Sequence, residues 1–117
     1  MNNHEKMNYV EFSACDLIAT KTFFESAFGW VFQDYGPEYT TFNDQGLEGG
    51  FFKTDKAGTQ ATGGALIVFF SKHLLDTQER VKAAGGVITQ DTYEFPGGKR
   101  FHFIEPSGNE FAVWGQL

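Results

Sequence analysis

Between Asn8 and Ala14 the chain alternates, with "NYVEFSA" setting Val10, Phe12 and Ala14 on one face and Tyr9, Glu11 and Ser13 on the other. A period of two predicts a strand with one buried side. In "LIATKTFFESAFG" the period lengthens: Leu17, Ala19, Thr20, Phe23, Phe24, Ala27 and Phe28 recur at helical spacing behind Asp16, an N-cap residue, and stop at Gly29. A short amphipathic helix packed on a sheet is expected. Three β-prone runs follow, "WVFQDYG", "YTTFND" and "GGFFKT", separated by "PE" and "QGLE", and they predict an antiparallel meander.

The polar, Gly- and Thr-rich stretch "DKAGTQATGG" predicts a linker, with bounds at residues 54–63. Beyond it the same order of elements returns. "ALIVFF" reads as a strand, "HLLDTQERVKAAGG" as a helix with a glycine stop, and "VITQD", "KRFHFIE" and "NEFAVWG" as three strands. Both helices end at glycine directly before an apolar strand start, in "FGWVF" and "AGGVI". The pattern therefore predicts a single α+β domain over 1–117 built from two repeated βαβββ modules, residues 8–53 and 64–117. Helices should cover the outer face of a mixed, curved sheet whose other face wraps a shared cleft. "TYEFPGGKR" is long and glycine-rich for a hairpin connection, and reads either as a lid over that cleft or as a plain connector.

Fourteen Phe, four Tyr and two Trp supply more aromatic surface than a small core requires, so part of it is expected in a cavity or a subunit interface. The net charge of -6 comes without any basic run, which argues against a nucleic-acid partner. No stretch reaches the roughly 20 apolar residues of a membrane span, and "MNNHEKMNYV" lacks a signal peptide's apolar core. A cytoplasmic location without membrane association is expected. The lone Cys15 has no disulfide partner and reads as a packing residue.

Three segments, "DLIATKTFFESAFGW", "VKAAGGVI" and "FIEPSGNEFAVW", stand in the order and at the separations in which the chain resembles the vicinal oxygen chelate superfamily of glyoxalases, bleomycin and fosfomycin resistance proteins and extradiol dioxygenases. The resemblance covers nearly the whole chain and implies paired βαβββ modules. It also implies a divalent metal held by His and Glu, one from each of four strands. Carried across, those positions fall on Tyr9, Leu66, Ala112 and near Gly50. A neutral tyrosine is a poor ligand and the other three offer no donor side chain, so the resemblance implies a member without the usual metal site.

The remaining candidates are weighed by strand parity. Glu110, Ala112 and Trp114 share one face of the last strand, and His102, between Phe101 and Phe103, looks into the cavity if the two Phe face the helices. The expected ligand-binding set is Tyr9, Glu11, Leu66, His102, Ala112 and Trp114, with Val10, Phe12, Phe111 and Val113 in the core and Ala112 opening on a wet cleft. His4 and His73 read as structural, and Asp16 as a helix cap. "TGGALIV" and "PGGKR" lack the context of phosphate-binding loops. The expected function is a non-metal, cofactor-free, homodimeric protein that binds a small organic molecule in an aromatic cleft, with the acidic balance favouring a cationic ligand. The rival is a lyase, isomerase or dioxygenase using a relocated metal held by His102 with Glu11 or Glu110. A third possibility is an interaction module with no small ligand.

Overall fold

Alternation in "NYVEFSA" produces β1 (Tyr9–Ala14) in the computed structural model, which describes residues 3–117, and Asp16 then starts α1 (Leu17–Phe28). The Asp16 carboxylate accepts from the Ala19 N–H at 3.0 Å, satisfying one of the free donors of the first turn. At the other end Gly29 takes φ 71°, and the N–H groups of Gly29 and Trp30 return to Glu25 and Phe24. This left-handed cap delivers Trp30 onto the Phe24 ring, 4.5 Å between centroids.

β2 (Phe32–Asp34), β3 (Tyr39–Gln45) and β4 (Leu47–Lys53) complete the first module in the sheet order β1-β4-β3-β2, with β1 parallel to β4. "QGLE", expected to separate the last two strands, is instead a tight turn at Gly46 with its flanking residues already in strand. After the linker, which holds a 3-10 turn at Gln60–Thr62, the second module repeats the plan. It comprises β5 (Ile67–Phe70), α2 (Leu74–Ala83), β6 (Val87–Phe95), β7 (Gly98–Ile104) and β8 (Glu110–Gly115), in the order β5-β8-β7-β6. The chain is thus α+β, with two βαβββ modules forming two mixed four-stranded sheets. No helix among the described residues is long and apolar enough to cross a membrane.

"TYEFPGGKR" is neither lid nor loose connector. Its first half finishes β6, Phe95 pairs with Gly98, and the chain reverses on Pro96 and Gly97 alone. Proline presets the first corner, and Gly97 at φ 119° occupies the second, where a side chain would be strained. Cys15 also departs from expectation, being exposed rather than packed.

The sheets share one aromatic core. Phe24 lies 5.6 Å from Phe51 of β4 and 5.5 Å from Phe111 of β8, Phe23 lies 5.6 Å from Phe103 of β7, and Phe12 lies 5.2 Å from Phe111. The first helix therefore wedges into both modules, and ring pairs at these separations add to the area they bury. Val10, Phe12, Phe111 and Val113 all join this cluster, as the alternation predicts.

Polar contacts fasten the same junction. In the turn "EPSGN" the Glu105 carboxylate is 1% exposed and accepts from the Thr20 hydroxyl at 2.7 Å, the Ser107 N–H at 2.9 Å and the Asn109 side-chain amide at 2.7 Å. Ser107 Oγ lies 2.7 Å from Thr20 Oγ1 and accepts from the Asp16 N–H, while Asn109 donates to the Ser13 carbonyl and accepts from the Gly58 N–H. The second module's closing hairpin thereby grips β1, the start of α1 and the linker.

Two outcomes follow. Phe111→Ala should lower the unfolding free energy by about 3 to 5 kcal/mol in denaturant titrations, because the cavity opens where both sheets and α1 meet. The second concerns Glu105, whose carboxyl burial pushes above its ordinary range against the opposing pull of the Ser107, Thr20 and Asn109 donors. A carboxyl raised in the fold stabilises it most below its unfolded value and loses that contribution as pH rises through its folded value. Wild-type stability relative to Glu105→Gln should therefore decline as pH rises above the ordinary carboxylate range. A difference that is flat, or that grows with pH, would contradict the raised value.

Candidate functional site

Because odd-numbered residues of β7 and β8 face the helices, the even-numbered ones form the opposite face of the second sheet, and the strand register arranges them in rows. One row runs Tyr93, Arg100, Trp114, Phe70 across β6, β7, β8 and β5. The next runs His102, Ala112, Val68, and a third holds Ile104 and Glu110. Phe70 is 49% exposed and packs edge-on to Trp114 at 4.9 Å, with Phe95 on the far side of the indole at 6.2 Å. Val68, Phe95, Pro96, Gly97, Arg100 and Trp114 line an open groove of about 360 Å³. It is a flat aromatic surface with one cation at its edge.

A hydrogen-bonded chain runs beneath that groove. The Arg100 Nε–H donates to the Tyr93 hydroxyl, which lies 3.0 Å from His102 Nε2. His102 Nδ1 lies 3.4 Å from Glu110 Oε2, and Glu110 Oε1 accepts from the Gln60 N–H at 2.7 Å. With the imidazole proton on Nδ1, every link has one donor and one acceptor, from Arg100 through Tyr93 and His102 to Glu110. The Arg100 guanidinium also lies over the Tyr93 and Phe95 rings, 5.6 and 5.8 Å from their centroids, within cation–π range.

The six expected ligand-binding residues fall into two groups. His102, Ala112 and Trp114 share the second sheet's open face, with Leu66 immediately before β5. Ala112 is 0% exposed between His102 and Val68, so this spot is sealed rather than wet, although it stands apart from the core cluster. Tyr9 and Glu11 lie instead on the first sheet. There the Tyr9 and Tyr39 hydroxyls hydrogen-bond each other and Tyr39 donates to Glu11 at 3.1 Å. Burial, followed by the bonds to Tyr9 and Glu11, pushes the Tyr39 hydroxyl up. Glu11 also lines a separate pocket of about 270 Å³ between β1 and the linker, which Glu110 lines as well.

Tyr93 and Phe95 escaped the sequence reading because they were assigned to a connection, and Arg100, at the start of the expected strand "KRFHFIE", had no cross-strand partner to single it out. Had "TYEF" been read as a continuing strand, its alternation would have aligned Tyr93 with Phe95 and set both opposite the β7 residues.

Strand register relates to one another the four positions at which the resemblance implies metal ligands. Glu11 pairs with Gly50 in the first module and Val68 with Ala112 in the second, so Tyr9 and Leu66 stand at equivalent places two residues earlier. At Gly50 a Cβ would stand 2.6 Å from the Tyr39 hydroxyl and 2.8 Å from the Thr40 carbonyl. The space for a ligand side chain is therefore taken by Tyr39. Nor do the donors nearby assemble elsewhere: among the described residues no three His, Cys, Asp or Glu side chains come together. His102 and Glu110 are close, but each is already engaged with a hydrogen-bond partner, and Glu11 is tied to Tyr39. These residues do not fit a divalent metal of the kind the resemblance implies.

The sequence profile of the Glyoxalase/Bleomycin resistance protein/Dioxygenase superfamily matches residues 6–113, and the chain belongs to that superfamily. Similar solved structures include a glyoxalase-related enzyme from Fulvimarina pelagi, with TM-score 0.80, 19% identity, and coverage of 96% of this chain and 88% of that one. A glyoxalase/bleomycin resistance protein/dioxygenase family enzyme from Burkholderia phytofirmans PsJN also has TM-score 0.80, with 17% identity over 96% of this chain and 99% of that one. A genomically encoded fosfomycin resistance protein from Listeria monocytogenes has TM-score 0.75 and 18% identity, covering 100% and 96%. At such identities the likeness shows the shared fold and no more. No curated protein matches the sequence.

The sealed position gives a test. Ala112→Glu should lower stability by about 2 kcal/mol or more, since it inserts a long charged side chain where no atom is exposed. Thermal unfolding measures the loss, and Ala112→Ser, close in volume, should remain near wild type.

Proposed function

We propose that this chain is a member of its superfamily that binds a small organic molecule on the open face of the second sheet, without a metal. The observation that carries the reading is the row Tyr93, Arg100, Trp114, Phe70. It sets two large exposed or half-exposed rings beside a groove in a face that the helices leave uncovered. Flat apolar walls with a few fixed polar groups are the usual make-up of a small-ligand site. The chain from Arg100 to Glu110 supports it by holding the polar wall in one arrangement, so little ordering is needed when a ligand arrives.

The rival reading routes chemistry through a relocated metal on His102. It would require His102 or Glu110 to give up the hydrogen bonds that now satisfy them, and it lacks a third donor at that place.

An NMR titration with benzyl alcohol, a neutral aromatic probe, separates the two. The indole N–H of Trp114 should shift saturably in the presence of EDTA while the buried Trp30 stays fixed, and Trp114→Ala should abolish binding. A shift that appears only after manganese, nickel or zinc is added would favour the rival. Were neither indole to move with any aromatic probe, the groove would not be a ligand site.

A further inference from the structure

We propose that Arg100 is an anion subsite that holds the carboxylate of a planar aromatic ligand lying against Trp114 and Phe95. The inference rests on the groove being the ligand site and goes past it by assigning the ligand's charge.

Arg100 is half-buried in β7, yet none of the ion pairs among the described residues includes it. A guanidinium partly withdrawn from water beside two aromatic rings, with no carboxylate partner, gains from an anion that reaches it through the groove. Its bonding pattern shows where that partner would sit. Nε is spent on Tyr93, and the rings of Tyr93 and Phe95 hold the guanidinium plane, while the two terminal nitrogens have no acceptor among the described residues. Two parallel donors on a fixed plane are the complement of a carboxylate.

Position adds the aromatic half of the ligand. Arg100 and Trp114 are directly opposite in the β7–β8 register and both line the groove, so a carboxylate on the guanidinium places its attached ring beside the indole. A single arginine balances one negative charge. In a chain of net charge -6 a doubly charged phosphate would meet more repulsion than a carboxylate, which favours the latter. The acidic composition favours cations over the surface as a whole, but the groove's own charged side chain is positive, and a bound group responds first to the charge it touches.

The test compares sodium benzoate with benzyl alcohol on the wild-type protein, followed at the Trp114 indole N–H. Benzoate should bind at least about tenfold more tightly, as expected for a charge-assisted pair of hydrogen bonds. The advantage should shrink as salt is raised. Arg100→Gln should remove the preference for benzoate over benzyl alcohol, and Arg100→Lys should keep part of it, with circular dichroism confirming that both variants fold. Equal affinity for the two probes in the wild type, a comparison that needs no variant, would overturn the subsite and leave the groove standing. Displacement of benzoate by an equal concentration of inorganic phosphate would overturn the assignment to a carboxylate. Silence of Trp114 toward both probes would remove the groove and the subsite together.

Discussion

The buried Glu105 carboxyl is where two repeated modules become one molecule. It sits in the closing hairpin of the second module, yet its hydrogen bonds reach Thr20 on the first helix, while its neighbours Ser107 and Asn109 bind the backbone at Asp16 and Ser13. An acidic group in so dry a place is tolerable only because donors surround it, and among the described residues no buried side-chain polar atom is left without a partner. The aromatic core supplies most of the cohesion through area, but area is not directional. The clamp fixes which way β8 meets β1, and with it which residues of the last strand look away from the helices.

That orientation has different consequences in the two modules, although their strands pair equivalently. In the first, Gly50 leaves room for Tyr39, which crosses the sheet face to reach Tyr9 and Glu11. In the second, the equivalent residue is Ala112, and its methyl is sealed between His102 and Val68. One face is thus filled by a tyrosine pair, and the other is left as an aromatic groove above a polar chain. The two modules share one strand order, and different residues at equivalent positions give them unlike surfaces.

Period and punctuation made most of the architecture legible in the sequence. Alternation in β1 and β8 assigned Val10, Phe12, Phe111 and Val113 to the core, and Asp16 and Gly29 bounded α1 by their backbone preferences alone. The groove was only partly legible. Trp114 and His102 could be placed on a face by parity, but nothing local said that His102 meets Tyr93 or that Arg100 lies across from Trp114, since those facts belong to the register between strands. The Pro-Gly-Gly run added its own misdirection. Glycine and proline signal a turn but not its length, and here the turn takes two residues, returning Tyr93 and Phe95 to the sheet. Asn109 bonds to Glu105 within its own turn, yet its other partners, Ser13 and Gly58, lie far back along the chain, where no local signal could place them.

The linker is bonded into the second sheet's polar chain and does more than tether the modules. Thr59 caps the 3-10 turn at Gln60–Thr62 through a reciprocal pair of bonds with Thr62, so the Gln60 N–H points in a fixed direction. That N–H ends the chain of bonds that begins at Arg100. Without it Glu110 would lose the donor that holds one oxygen and would be freer to turn from His102, and each later link depends on the one before. The Gly58 carbonyl, which accepts from the Glu110 N–H, comes from the same stretch whose N–H Asn109 accepts. One polar segment thus braces both the clamp that joins the modules and the wall of the groove. Changes in its sequence should therefore reach Arg100 through hydrogen bonds, without any linker residue lining the aromatic groove.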